Sequence, residues 1–267
     1  MDFRNKVVVI TGGSEGIGRS LVEMMLNKGA KVATCGRKHD KLYQLQTHFP
    51  GLPLHVVVAD VSNESDCRNF ITSTIKTFGG IDILINNAGL SMRALINDAE
   101  ISAFKRLMDV NFWGTVYCTK FALKSIIESK GTVVGISSIV GNRGIPGRSA
   151  YSASKFAMQG WLESLRVEMF QHGVNVLWVS PGFIATNIRS VALNAEGKPI
   201  GESPMDESKL MSADECARHI IHAVQKRKRS VVLTFTGKAT VFVSKFFPRL
   251  ADKYINKFFF KDGKLIK

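Results

Sequence analysis

Two residues near the middle of the chain have side chains that could exchange a proton with a substrate. Tyr151 and Lys155 are four positions apart in a helical sequence pattern, so their side chains would share one helix face. A phenol has a reference pKa of about 10, and a nearby ammonium lowers that pKa because it stabilises the phenolate. Tyr151 is therefore a candidate general acid and base. The same spacing is also common on ordinary helix surfaces, so the pair alone does not identify a site.

A glycine-rich turn near the start of the chain could bind a phosphate. Residues 11–18 (TGGSEGIG) follow an apolar run and precede a helical pattern. Such a turn exposes backbone N–H groups at the positive end of a helix dipole, and both features favour a dinucleotide pyrophosphate. A simple tight turn between a strand and a helix is the alternative interpretation.

The end of the second apolar run indicates which dinucleotide would bind. A carboxylate at this point would bind the ribose 2′-OH of NAD, but the chain has Arg37 and Lys38 instead. An arginine offers several donors to a 2′-phosphate, so we predict NADP(H) as the cofactor. The alternative is that both cations belong to a solvated helix start. Glu15, in the glycine-rich turn, would disfavour a 2′-phosphate unless it points away or pairs with Arg37.

The elements that must position these residues alternate along the chain. Short runs rich in Val, Ile and Leu are separated by helical patterns, for example at 18–28, 64–78 and 153–171. This alternation predicts a single α/β domain with right-handed crossovers and a doubly wound parallel sheet. The predicted strands are 7–11, 31–35, 55–60, 81–86, 132–137, 175–180 and 231–234.

The order and spacing of several motifs resemble the short-chain dehydrogenase/reductase family. The resemblance extends over roughly residues 5–235 and implies a Rossmann fold. It also implies an NADP(H)-dependent oxidoreductase that interconverts a ketone or aldehyde and an alcohol. The motifs that carry it are the TGxxxGIG turn, NNAG at 86–89, Asn111, Ser138, Tyr151 with Lys155, and Pro181 with Gly182.

The resemblance implies a role for each of these residues. Tyr151 would exchange the proton, Lys155 would also bind the nicotinamide ribose, and Ser138 would orient the carbonyl oxygen. Asn111 would hold a water that relays protons to Lys155. Asp60 would contact the adenine, although a turn cap explains it nearly as well. The expected cofactor-binding residues are Gly12, Ser14, Glu15, Gly16, Ile17, Gly18, Arg37, Lys38, Asp60, Val61, Asn87, Ala88, Gly89, Tyr151, Lys155, Pro181, Gly182, Ile184 and Thr186.

A polar segment at about 183–212 is the candidate substrate loop, since an insertion of this length in a compact domain is usually functional. Apolar candidates for the pocket wall predict a hydrophobic, lipid- or steroid-like substrate, although ordinary packing explains each of them equally well. The stretches 148–151 and 181–187 resemble the dehydrogenase/reductase member 7 branch. Residues 104–108 resemble 3-ketosphinganine reductases, so a 3-ketosphinganine or 3-oxoacyl type reductase is the alternative. The wall candidates are Met92, Ile139, Val140, Ile145 and Phe183.

The composition argues against several classes of protein. The cysteines are scattered and no histidine cluster has a complete ligand set, so we expect neither disulfides nor a metal site. No run approaches the ~20 apolar residues that span a bilayer, and no signal peptide is apparent. A cytoplasmic protein, with or without membrane association, is the expectation, and we expect it to form a homodimer or homotetramer.

The C-terminal region has a composition of its own. Residues 226–267 carry +10 of the net charge of +14, and basic and aromatic residues alternate there at helical spacing. We predict a catalytic domain at 1–236 and a basic, aromatic-rich helical tail at 237–267. The tail could lie on an anionic membrane surface or pack on its own or a neighbouring subunit. No nucleic-acid-reading module accompanies the basic residues, so we expect no nucleic-acid partner.

Two further functions belong to other classes. The chain could be a non-catalytic NADP-binding scaffold or sensor, or a membrane-surface adaptor that works through its tail. The presence of all four expected catalytic positions, Asn111, Ser138, Tyr151 and Lys155, favours an enzyme.

Overall fold

The computed structural model describes residues 2–203 and 205–266. A seven-stranded parallel sheet in the order β3-β2-β1-β4-β5-β6-β9 forms its centre. The predicted α/β doubly wound sheet is therefore confirmed. The strands are β1 Val7–Thr11, β2 Lys31–Gly36, β3 Leu54–Val58, β4 Ile83–Asn86, β5 Thr132–Ile136, β6 Asn175–Ser180, β7 Ile184–Ala185, β8 Met211–Ser212, β9 Ser230–Val232, β10 Phe260–Lys261 and β11 Lys264–Leu265.

Helices cover both faces of the sheet, which explains why the strands are apolar throughout. On β1, Val7 and Val9 belong to one core, whereas Val8 and Ile10 belong to the core on the opposite face. The helices are α1 Gly16–Asn27, α2 His39–His48, α3 Glu64–Phe78, α4 Ile101–Met108, α5 Gly114–Glu128, α6 Ser149–Glu168, α7 Ala213–Gln225, α8 Phe235–Phe246 and α9 Pro248–Phe259.

The chain reverses its strand order at β1, which lies between β2 and β4. Loops that leave neighbouring strands in opposite directions open a crevice at the carboxyl ends, where ligands of such sheets bind. Asn87, just after β4, ties the two sides together because its amide nitrogen donates to the Thr11 carbonyl at 2.9 Å. The Ala88 N–H donates to the Thr11 hydroxyl at 2.9 Å.

Some boundaries differ from the predicted ones for local reasons. The third strand ends at Val58 rather than at residue 60, because the Asp60 carboxylate accepts from the Ser62 N–H at 3.0 Å and turns the chain. Helix α6 begins four residues earlier than predicted, and the Ser152 N–H already donates to the Arg148 carbonyl at 2.8 Å. Tyr151 therefore lies within the first turn of the helix.

The C-terminal region consists of α8, α9 and a short β10–β11 hairpin, and Pro248 occupies the first turn of α9. Thr234 caps α8 by accepting from the Gly237 N–H at 3.1 Å, so the predicted boundary after residue 236 falls inside the first turn of a helix. A Cβ on Gly237 would come within 2.7 Å of the Ile139 side chain. Helix α8 therefore packs closely on the segment that follows β5. No helix among the described residues is both long and apolar enough to cross a bilayer.

Candidate active site

The first turns of α6 bring Tyr151 and Lys155 together in the interior. Tyr151 is 8% exposed and Lys155 is 3% exposed. The Lys155 Nζ lies 5.8 Å from the centre of the Tyr151 ring and donates to the Ile136 carbonyl, at the end of β5, at 2.8 Å. Ser138 follows the same strand, and its hydroxyl forms a hydrogen bond with the Tyr151 phenol. The strand end and the helix start thus hold three predicted residues in one place.

The electrostatics of this group differ in one respect from the expectation. Burial raises the pKa of Tyr151, while the hydrogen bond from Ser138 and the charge of Arg148 lower it. Lys155 was the residue expected to lower this pKa, but its own pKa falls to about 7 because burial disfavours the ammonium. Within the protein alone, Ser138 and Arg148 are therefore the groups that stabilise the phenolate.

Asn111 lies behind the cleft, on a π-helical turn at Asp109–Trp113. Its Oδ1 accepts from the Leu90 N–H at 2.8 Å, and its Nδ2 donates to the Leu90 carbonyl and the Ser154 hydroxyl, both at 2.9 Å. The amide therefore joins the loop after β4 to helix α6. A Cβ built on Gly89 would lie 3.4 Å from the Asn111 Oδ1 and 3.6 Å from the Lys155 Nζ, so both groups border one small space.

The glycine-rich turn has a backbone that only glycines allow. Gly12 and Gly16 have φ angles of +70° and +53°, which disfavour other residues. A Cβ on Gly18 would lie 2.1 Å from the Gly12 carbonyl oxygen, and a Cβ on Gly16 would lie 3.2 Å from a methyl of Thr186. The turn is thus an open cradle at the start of α1, bordered by Thr186. This shape fits a pyrophosphate bound at a helix N-terminus.

The far end of the cleft contains Arg37 and Lys38, just after β2. Arg37 is about half exposed, and its guanidinium lies 3.9 Å from the Asp60 carboxylate. Glu15 does not pair with Arg37, as had been considered, but forms an ion pair with Lys41 and accepts from the Asn187 amide at 3.3 Å. The Lys41 ion pair and the Asn187 hydrogen bond help lower the pKa of Glu15 against the opposing effect of burial. The carboxylate is thus neutralised by a neighbour that the sequence argument did not include.

One cleft unites nearly all of the predicted site residues. Every expected cofactor-binding residue and Ser138 border it, and Asn111 lies behind it. The five predicted wall residues do not border it: Met92 is fully buried in the core, and Ile139 packs against Gly182 and Gly237. Other residues also line the cleft, and the sequence argument did not predict them for the site. They include Leu90, Val110, Ile188, Arg189 and Val191.

A further missed residue is Arg148, which the sequence argument used only as part of a family resemblance. It directly precedes α6, is 7% exposed, and donates from Nη1 to the Ser91 hydroxyl at 3.1 Å. Its position three residues before Tyr151 was the available signal, because residues at this spacing share a helix face.

Comparison with known proteins identifies the family. Residues 6–196 match the short chain dehydrogenase family. The chain is 38% identical over 260 residues to the dehydrogenase/reductase SDR family member 7B of Mus musculus, which covers 93% of this chain and 79% of the mouse protein. It is 34% identical over 243 residues to the SDR family protein 7-like of Drosophila melanogaster, covering 87% of this chain and 74% of the fly protein.

Solved structures share the fold at lower sequence identity. A short-chain dehydrogenase/reductase from Burkholderia phymatum, in complex with NAD, aligns with a TM-score of 0.84 at 21% identity and covers 94% of this chain and 96% of its own. An alcohol dehydrogenase from Thermococcus sibiricus, complexed with 5-hydroxy-NADP, aligns with a TM-score of 0.76 at 23% identity and covers 86% and 96%. The two complexes contain different nicotinamide dinucleotides. The chain belongs to the short-chain dehydrogenase/reductase family, in its dehydrogenase/reductase member 7 branch, and is thus an oxidoreductase of a family that binds a nicotinamide cofactor.

Proposed function

We propose that this protein is an NADP(H)-dependent oxidoreductase that interconverts a ketone or aldehyde and an alcohol, with Tyr151 as the general acid and base. The observation that supports it most is the buried group of Ser138, Tyr151 and Lys155 at one end of a cleft. The glycine-rich turn, the expected pyrophosphate site, borders the same cleft. Proton exchange and cofactor binding would therefore occur in one continuous site.

Each residue of the buried group has a part in this reaction. The bound nicotinamide supplies or accepts a hydride. Tyr151 donates a proton to the carbonyl oxygen during reduction and takes it back during oxidation. The Ser138 hydroxyl orients that oxygen and stabilises the charge that develops on it. The Lys155 amine, whose pKa is near 7, can carry a proton in either state at neutral pH and borders the same space as Asn111.

The preference for NADP(H) rests on Arg37 and Lys38. Both border the cleft, and the strand end near them offers no carboxylate for a ribose 2′-OH. The Arg37 guanidinium is about half exposed and lies 3.9 Å from the Asp60 carboxylate, so this contact holds it weakly. The guanidinium can therefore reorient toward a 2′-phosphate. The reservation about Glu15 is weakened by its ion pair with Lys41. NAD is the alternative cofactor.

The substrate is a carbonyl compound or alcohol with an apolar portion. Leu90, Ile188 and Val191 border the cleft, and they supply the apolar surface that the predicted wall residues do not. A 3-ketosphinganine or 3-oxoacyl type substrate is the alternative to a lipid- or steroid-like ketone.

Replacing Tyr151 by Phe tests the proposed reaction. Tyr151→Phe should lower NADPH oxidation with an accepted ketone at least about 100-fold, the usual contribution of a general acid, while NADPH binding stays measurable by fluorescence. Tyr117→Phe is a matched control, because Tyr117 lies on α5 and stacks on Trp113 at 5.7 Å. Retained turnover in Tyr151→Phe would refute the role of this residue.

Helices α8 and α9 suggest where the protein would meet a membrane. Phe235, Phe242 and Phe246 are exposed and follow one another at seven- and four-residue steps, so they form one stripe on α8. Tyr254 is exposed on α9, where Arg249, Lys253 and Lys257 flank the aromatic residues. We propose that this surface contacts anionic lipid. A symmetric contact with a second copy would bring the same cations together.

Vesicle sedimentation tests the membrane proposal. Vesicles that contain phosphatidylserine should sediment the protein, and Phe242→Ser with Phe246→Ser should reduce the bound fraction severalfold. Phe170→Ser is the control, because Phe170 is 80% exposed but lies elsewhere. Equal binding by all three proteins would exclude this surface. The proposed homodimer or homotetramer is tested separately by light scattering.

A further inference from the structure

Three arginines from distant parts of the sequence lie close enough for their charges to interact, and one of them precedes Tyr151 by three residues. Arg93 follows β4, Arg148 directly precedes α6, and Arg189 belongs to the candidate substrate loop. Ser91 and Leu193 join the three segments. The Arg148 guanidinium donates to the Ser91 hydroxyl at 3.1 Å, the Leu193 N–H donates to the Ser91 carbonyl at 2.9 Å, and the Arg93 N–H donates to the Leu193 carbonyl at 2.8 Å.

The cluster has far more positive than negative charge. Arg189 is 4% exposed and forms an ion pair with Glu207 at 2.8 Å. Neither Arg93 nor Arg148 has an ion-pair partner among residues 2–203 and 205–266, and the Nε atoms of both are buried without a hydrogen-bond partner. A buried guanidinium without a counter-charge is costly, so such a group is expected to meet an anion.

The cluster lies beside the reaction centre. Arg148 is one helical turn from Tyr151, and its charge lowers the pKa of the phenol. Arg189 borders the same cleft as Tyr151 and Ser138. Burial is the main cause that lowers the pKa of Arg148, and the charges of Arg189 and Arg93 lower it further, as expected for cations that share one small region. An anion bound here would be close to a carbonyl held by Tyr151.

We propose that Arg148, assisted by Arg93 and Arg189, binds an oxyanion group of the substrate, either a carboxylate or a phosphate. The carbonyl and the oxyanion would both lie near the start of α6. The planar fork of an arginine matches both kinds of oxyanion. This inference rests on the proposed function and deepens it: the substrate combines an apolar portion with a negative group near its carbonyl.

Matched pairs of ketones test the proposal. The first pair is a medium-chain oxo acid and its methyl ester, and the second is a hydroxyketone phosphate and the free hydroxyketone. Wild-type protein should favour the charged member of at least one pair in kcat/KM, chiefly through KM. Arg148→Gln should reduce that preference at least about tenfold, since a charged hydrogen bond is lost. Arg148→Lys should restore part of it.

Arg143→Gln provides the control, because Arg143 lies on the same loop but pairs with Asp252 on α9. Its preference for the charged ketone should equal that of wild type. An unchanged preference in a folded Arg148→Gln protein would overturn the proposal. The pair that responds also distinguishes a carboxylate from a phosphate.

Anion binding without turnover separates this inference from the proposed function. Acetate and inorganic phosphate are titrated into the protein by calorimetry. Wild type should bind at least one of them more tightly than Arg148→Gln, and Arg37→Ala should retain that difference, since phosphate can also bind at the cofactor end. Equal binding by wild type and Arg148→Gln refutes the oxyanion site, even where ketone reduction is observed. A difference supports the site even where no tested ketone is reduced.

Discussion

The two ends of the cleft have cations in opposite environments. At the adenosine end, Arg37 is about half exposed and lies 3.9 Å from the Asp60 carboxylate, its one ion-pair partner in the described part of the chain. Near Tyr151, Arg148 is 7% exposed and donates to the Ser91 hydroxyl. Arg189, which borders the cleft, is 4% exposed, donates to the Ile184 carbonyl and pairs with Glu207 at 2.8 Å. An exposed cation destabilises the ligand-free protein little and gives only modest affinity for an anion. A buried cation needs an anionic partner and discriminates more strongly between charged and neutral ligands.

This difference separates two kinds of specificity within one site. The exposed cations would select among cofactors that differ by one phosphate, and they would do so through mobile, solvated side chains. The buried cations would select among substrates, and they are fixed before any ligand arrives. Preorganised groups lose less conformational entropy on binding, so the substrate end should be the more selective of the two.

The largest effect at the adenosine end is expected from the loss of Arg37. Arg37→Ala should weaken NADPH binding about tenfold to hundredfold and change NADH binding no more than about threefold, because only NADPH has the 2′-phosphate. Fluorescence titration of both cofactors measures this difference. Equal losses of affinity for NADPH and NADH would contradict the proposed role of Arg37 in selecting the cofactor at the adenosine end.

Lys155 extends the comparison to a third buried cation. Its pKa in the folded protein is about 7, against an ordinary 10.5, so the unfolded chain binds more protons across this window. Stability should therefore rise with pH, by about 1 kcal/mol between pH 7 and 8, where thiols with an ordinary pKa of 9.0 are still mostly protonated in the unfolded chain. Lys155→Met should flatten this rise.

Urea unfolding of the cofactor-free protein at several pH values measures the slope. Lys120→Met serves as the control, because Lys120 is exposed on α5, and its slope should match that of wild type. A wild-type stability that does not increase between pH 7 and 8 would show that Lys155 remains charged in the interior.

A change in ionic strength should have the smallest effect of these experiments, and it should act mainly at the adenosine end of the cleft. Raising the salt concentration from ~50 mM to ~500 mM shortens the screening length, which weakens exposed charge interactions much more than buried ones. The preference for NADPH over NADH should fall severalfold, while the preference for a charged over a neutral ketone should change less than twofold. Comparable losses for both preferences would contradict the difference in burial.

The parts of the fold and site that the sequence predicted depend on local patterns. The apolar runs predict all seven strands of the main sheet, and the glycine-rich turn predicts the cradle at the start of α1. Tyr151 and Lys155 share a helix face by spacing alone, and Ser138 follows a strand end whose position the apolar pattern indicates.

The parts that the sequence did not predict depend on contacts between distant segments. Met92 is apolar and follows β4, but its side chain belongs to the core rather than to the cleft. Glu15, in the glycine-rich turn after β1, pairs with Lys41 on α2. Arg93 and Arg148 are 55 residues apart and Arg148 and Arg189 are 41 apart. Only the tertiary fold joins their segments, through Ser91 and Leu193.

Isotope transfer tests the central claim most directly. A ketone is reduced with NADPH that has deuterium in both positions on the reactive carbon of the nicotinamide, and the alcohol is analysed by mass spectrometry. The account predicts one deuterium on the carbinol carbon of the product with wild-type protein, and no product above background with Tyr151→Phe. An alcohol without deuterium, or equal product from wild type and Tyr151→Phe, would contradict it.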